Sequence, residues 1–139
     1  MAQGILDHLA GDRFEALSAG SHPAGYVHSM AIKVMAEMGI DISHNESKSL
    51  DEYVGKEIDF IVTVCDNAKE ACPIFPGKPT TAHWGFEDPV LFRGDEEEML
   101  WEFRSTAMEI ETRIRLFLAL PEDQLSEREF HAAIRDLGK

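Results

Sequence analysis

The chain has 139 residues, and its 13 Lys and Arg against 26 Asp and Glu give a formal net charge of −13 at pH 7. This length predicts one domain, and a hydrophobic content of 44% with 28% charged residues is typical of globular proteins. The acidic balance argues against nucleic acid and anionic membranes as partners. No apolar run is long enough to span a membrane and no signal peptide opens the chain, so we expect a cytoplasmic protein.

Helical and strand-like patterns alternate along the chain and predict an α/β fold, in which helices flank a parallel sheet. Capping residues and apolar periodicity predict helices at residues 1–10, from Ser29 to Gly39, after the capping box of Ser49 and Glu52, from Asp95 to Pro121, and after Ser126. Strands are predicted at residues 14–20, 58–65 and 80–84. We expect the second strand to be buried on both faces, because β-branched and aromatic residues dominate it.

The two cysteines of the chain are the strongest chemical signal. Cys65 ends the predicted strand 58–65, and ligands gather at the carboxyl ends of strands in open α/β sheets. Cys72 follows seven residues later. If the intervening segment is helical, the two residues are roughly 10 Å apart, so a disulfide would require that segment to unwind. The spacing leaves two interpretations open, a mobile redox-active dithiol or two unrelated buried cysteines.

Asp88 is the candidate acid. It precedes Pro89, and a residue before proline favours an extended backbone, which can direct a carboxyl group toward a leaving group. The same dipeptide is also typical of an ordinary turn. The acidic run at residues 95–98 indicates a helix start, and neither cysteine lies in a C-x-x-C pair, so we expect no metal site.

Five short motifs occur along the chain in a recognisable order, at residues 18–20, 39–43, 62–66, 72–73 and 83–89. Together they resemble the thioredoxin-coupled arsenate reductases built on the low-molecular-weight tyrosine phosphatase fold. The resemblance implies a domain over residues 1–120, with residues 121–139 as a C-terminal helical extension.

The resemblance also implies roles for the candidate residues. Cys65 would attack the arsenylated cysteine of a Cys-x5-Arg loop and release arsenite, and Cys72 would then attack Cys65 to leave a disulfide. Asp88 would protonate the leaving oxygen. Arsenate would be the substrate and thioredoxin the reductant and partner, with no bound cofactor. Gln3 and Lys48 stand where some members bind potassium, so no such cation is expected.

The Cys-x5-Arg loop is the part of the resemblance that this sequence does not show. Ala71 and Lys78 stand six residues after Cys65 and Cys72, so neither cysteine starts such a loop. In the family the loop and the first strand precede the helix with which this chain begins. We therefore expect the first strand to be missing, Met1 to be an internal methionine of a longer frame, and the chain as written to be inactive by the family mechanism. An exposed sheet edge would then allow a dimer.

Two other functions stay open. One is a loop-less thiol-redox or interaction protein, in which Cys65 and Cys72 form a reversible disulfide without binding an oxyanion. The other is a low-molecular-weight protein tyrosine phosphatase. The phosphatase is disfavoured because that branch does not need Cys72, and because it usually places an aromatic residue where this chain has Val90.

Overall fold

The computed structural model describes residues 1–20, 25–64, 76–77, 79–121 and 123–138. The helices in these ranges are α1 (Ala2–Ala10), α2 (Ser29–Glu37), α3 (Glu96–Leu118) and α4 (Glu127–Asp136). The strands are β1 (Phe60–Thr63) and β2 (Thr80–His83), and short 3-10 helices occupy Leu50–Tyr53 and Pro89–Leu91. None of the helices within these ranges is both long enough and apolar enough to cross a bilayer.

The two strands pair in parallel, as predicted. Their register aligns Phe60 with Thr80 at one end and Thr63 with His83 at the other. Because parallel strands run in the same direction, their carboxyl ends meet at one edge of the sheet. In the sequence, Cys65 comes after β1 and Asp88 comes after β2, so both predicted site residues follow strands that end at this edge.

The predicted strand at residues 14–20 is wrong. Its end forms one isolated parallel bridge, in which Gly20 N–H donates to the Lys48 carbonyl at 2.8 Å and Leu50 N–H donates to the Gly20 carbonyl at 3.2 Å. Within the described ranges, no other backbone segment forms a ladder with residues 15–19. An extended segment needs a partner strand to satisfy its backbone groups, and here the partner is absent from the described sheet.

The burial predicted for the central strand is also wrong. β1 is shorter than the predicted segment, and each of its four residues is half-buried instead of buried on both faces. Among the described residues, β1 has one hydrogen-bonded neighbour, β2, so its other edge has no strand partner in that part of the chain. An edge strand is less covered than the central strand that its apolar sequence predicts.

Most helix ends lie where capping residues predict them. The Asp95 carboxylate accepts from Glu98 N–H at 2.8 Å at the start of α3, and the Ser126 hydroxyl accepts from Glu129 N–H at 3.2 Å before α4. The start of α2 differs by one residue from the prediction. His28, not Ser29, is its N-cap, because the imidazole Nδ1 accepts the Met30 N–H at 3.1 Å.

One hydrophobic core joins the helices to the sheet. Its largest fully buried side chains come from several elements: Ile5, Val34, Met35, Ile42, Phe103 and Ile134. The last of these belongs to α4, so the helix of the predicted C-terminal extension packs into the same core. Trp84 fixes that contact, since its indole N–H donates to the Ile134 carbonyl at 3.0 Å.

Candidate functional site

The candidate site lies at the carboxyl ends of β1 and β2. Two backbone hydrogen bonds continue the strand pairing past β2: Trp84 N–H donates to the Thr63 carbonyl at 2.8 Å, and Phe86 N–H donates to the Val64 carbonyl at 3.1 Å. They hold the segment after β2 against the last described residues of the β1 segment. The chain that leads to Asp88 is thereby joined to the residue that precedes Cys65.

Cys65 and Cys72 themselves lie outside the described residues. Their predicted roles as nucleophile and resolving thiol, and the helical segment predicted between them, stay predictions. Val64, the residue bonded to Cys65, is 40% exposed.

Asp88 is exposed and has the extended backbone predicted for a residue before proline, with φ −76° and ψ 112°. Its Oδ1 accepts from Val90 N–H at 3.0 Å, which makes it the N-cap of the 3-10 helix Pro89–Leu91. This hydrogen bond restrains the carboxyl group through one oxygen. Its role as a general acid stays a prediction.

His83 and Thr63 form a side-chain pair that sequence reasoning missed. The Thr63 hydroxyl lies 2.7 Å from His83 Nδ1, and the imidazole is half-buried. The two residues are direct partners in the parallel register, so β1 places a hydroxyl beside the ring that β2 presents. The register is a property of the folded sheet, and no local signal in either segment reveals it.

Packing explains two other residues of the 83–89 motif. Trp84 is only 6% exposed, and its single N–H is bound to α4, so it anchors the segment and does not line an open pocket. The Arg113 guanidinium of α3 lies 5.2 Å from the centre of the Phe86 ring, within the range of a cation–π contact. Both contacts position the backbone on which Asp88 stands.

The polar groups near α1 are used by the protein itself. Gln3 Nε2 donates to the Ala16 carbonyl at 3.1 Å, and its Oε1 accepts from the Ser18 hydroxyl at 2.6 Å. Among the described residues, no three His, Cys, Asp or Glu side chains lie close enough to hold a metal ion.

The parallel sheet and the site at its carboxyl edge define an α/β protein of the open-sheet class. Solved structures share this fold: one described as an arsenate reductase in oxidized state gives a TM-score of 0.68 and 24% identity over 82% of each chain. A second, described as an arsenate reductase in reduced state, gives a TM-score of 0.58 over the same coverage. At this identity the likeness concerns the fold alone.

The sequence comparison identifies the family. The model of the Low molecular weight phosphotyrosine protein phosphatase family matches residues 1–129, and the chain belongs to this family. A protein named arsenate reductase from Halalkalibacterium halodurans is 38% identical over 117 residues, which is 84% of each chain. One of the same name from Bacillus subtilis is 37% identical over the same share of each chain. The resemblance to arsenate reductases of this family, inferred from the five motifs, is confirmed.

Proposed function

We propose that this protein is an arsenate reductase and that Cys65, Cys72 and Asp88 carry its chemistry. The two relatives above support the proposal, because each is named an arsenate reductase and aligns over 84% of this chain. The structural observation that carries it is the 3.1 Å hydrogen bond between Phe86 N–H and the Val64 carbonyl. This bond joins the segment that leads to Asp88, the candidate acid, to Val64, which immediately precedes Cys65 in the sequence.

In the proposed reaction, two thiols supply the two electrons that convert arsenate to arsenite. Because this sequence shows no Cys-x5-Arg loop, Cys65 is the first nucleophile in the proposed reaction: its thiolate attacks arsenic and forms an S–As bond while one arsenate oxygen departs. The Cys72 thiolate then attacks the Cys65 sulfur, the S–As bond breaks with its electron pair on arsenic, and arsenite is released as the disulfide forms. Asp88 donates a proton to the departing oxygen, which leaves as water. A thioredoxin dithiol reduces the disulfide and is itself oxidised, which restores both thiols.

A second candidate function is a thiol-redox protein without oxyanion chemistry. The observation that favours it is the sequence spacing, since Ala71 and Lys78 occupy the places where an arginine would complete a Cys-x5-Arg loop. Such a loop supplies the backbone N–H groups that cradle a tetrahedral oxyanion. Under this alternative, Cys65 and Cys72 still exchange a disulfide with thioredoxin, and arsenate is not bound.

The test is arsenate reduction with thioredoxin, thioredoxin reductase and NADPH, with arsenite measured directly. The family mechanism, which needs a Cys-x5-Arg loop, predicts no turnover for this chain. The proposed two-thiol reaction predicts arsenite formation by the wild-type protein and its loss in Cys65→Ser and Cys72→Ser. We also expect Asp88→Asn to slow arsenite formation. Asp12→Asn is its matched control, because Asp12 is exposed in the loop after α1. If NADPH is consumed only after prior oxidation of the protein and no arsenite forms, the reductase proposal is wrong and the thiol-redox function replaces it.

We also propose that the protein works in the cytoplasm and dimerises through the edge of β1. Support for the dimer comes from the apolar strand Phe60–Thr63, whose residues are half-buried and which has one strand partner in the described sheet. Edge strands of this kind favour pairing with another strand. Sedimentation velocity of the wild type and of Ile61→Lys tests it, and a wild-type protein that stays monomeric would contradict it.

A further inference from the structure

The long helix α3 carries large apolar side chains on the face that points to solvent. Trp101, Met108 and Leu116 are 63%, 64% and 50% exposed. Their spacing of seven and eight residues places them on one side of the helix, opposite to buried residues such as Phe103 and Ile110. We call Trp101, Met108 and Leu116 the outer stripe. An exposed apolar row of this kind marks an interaction surface more often than isolated exposed residues do.

A row of glutamates borders the outer stripe along one side. Glu98, Glu102 and Glu109 are four and seven residues apart, so they lie on one edge of the same helix face. In the part of the chain that the structure describes, none of the three takes part in an ion pair. We call these three residues the glutamate row. Its charge is therefore free to attract a cationic partner.

A second copy of this chain is a poor occupant for the surface. In an antiparallel pair of α3 helices the same border of each helix meets its counterpart, so the two glutamate rows would face each other. In a parallel pair the row would meet the opposite border. There, Arg104 already donates to both carboxylate oxygens of Glu37 at 2.7 and 2.8 Å.

We propose that the outer stripe and the glutamate row dock a basic amphipathic helix of a partner protein. Such a helix presents apolar side chains at seven-residue intervals, which pack against the stripe, and Lys or Arg along one edge, which face the glutamates. The acidic surface of the whole chain accelerates the encounter with a basic partner. The surface uses none of the proposed reacting residues, so it stands independently of the proposed function.

The test uses a synthetic helix-forming peptide of leucine and lysine as the probe. Trp101 reports its binding by fluorescence, because the other tryptophan, Trp84, is only 6% exposed. We expect the emission of Trp101 to shift to the blue on binding, and the affinity to fall as salt screens the charges. A peptide of the same pattern with glutamate in place of lysine is the matched probe, and equal binding of both would overturn the charge argument.

Two sets of variants test whether the peptide binds to this surface or is attracted to the acidic protein in general. We expect Met108→Ser with Leu116→Ser to weaken binding about tenfold without changing the net charge. Glu102→Gln with Glu109→Gln is expected to weaken it more than Glu46→Gln with Glu57→Gln, which neutralises two exposed glutamates outside α3. An equal loss in both glutamate pairs would show nonspecific charge attraction and refute the proposal. A dimer in sedimentation velocity that the double serine variant abolishes would identify a second copy as the occupant and would also refute it.

Discussion

The Thr63 hydroxyl lies 2.7 Å from His83 Nδ1, across the last register pair of the two parallel strands. This pair is the side-chain link between the strand ends that form the candidate site. Thr63 Oγ1 also lies 3.5 Å from the Ala82 carbonyl oxygen, which is a weaker contact. The hydroxyl therefore orients the imidazole and ties the ends of the strands together.

Thr63→Val should remove this link while keeping a β-branched side chain in the strand. We expect a loss of about 0.5–1.5 kcal/mol in the free energy of unfolding, the usual net contribution of one hydrogen bond. Urea denaturation measures it. Thr112→Val is the control, because the Thr112 hydroxyl bonds back to the Met108 carbonyl within its own exposed helix turn. Equal losses in the two variants would show that the Thr63 contact adds nothing specific.

Trp84→Phe should loosen the attachment of α4 to the sheet. The substitution keeps an aromatic ring in the core but removes the N–H that donates to the Ile134 carbonyl at 3.0 Å. We expect about 1–2 kcal/mol of destabilisation from the lost hydrogen bond and the smaller ring. Amide hydrogen exchange should accelerate first in Glu127–Asp136. Trp101→Phe is the matched control, and because Trp101 is largely exposed we expect its unfolding free energy to stay unchanged.

Local signals predicted the helices well, and nonlocal contacts explain what they missed. Asp95 and Ser126 cap helices through hydrogen bonds to residues three positions away, so their role is readable from sequence. The predicted strand at 14–20 failed because a strand depends on a neighbour elsewhere in the chain, and the described ranges supply only the Gly20 bridge. The Thr63 and His83 pair depends on register in the same way. Asp88 could be predicted as extended because proline acts on the residue next to it.

Asp88→Asn tests the proposed acid without removing its structural contact. An asparagine side-chain oxygen can still accept from Val90 N–H, so the cap of the 3-10 helix is kept. The amide has no proton to give, and we expect the rate of arsenite formation to fall by about 10²-fold or more. The adjacent Glu87→Gln serves as the control, since Glu87 is exposed and carries the same charge. Equal rates for Asp88→Asn and wild type would exclude Asp88 as the acid.

The contact between Glu37 and Arg104 should give stability a dependence on acidic pH. The bidentate hydrogen bond from Arg104 lowers the pKa of Glu37 below its ordinary value of 4.5, and the same bond raises the pKa of Arg104. A carboxyl group with a lowered pKa in the folded state stabilises the protein above its unfolded pKa. That stabilisation is lost as pH falls through the lowered value.

We therefore expect Glu37→Gln to unfold at a lower urea concentration than wild type at pH 7, and the difference to shrink once the pH falls below the lowered pKa of Glu37. Both residues are exposed to solvent, so the effect should be small and should weaken with added salt. Urea midpoints across the acidic range measure it. Arg104→Gln completes a double-mutant cycle, and a double variant whose loss equals the sum of the two single losses would show that the ion pair contributes nothing to stability.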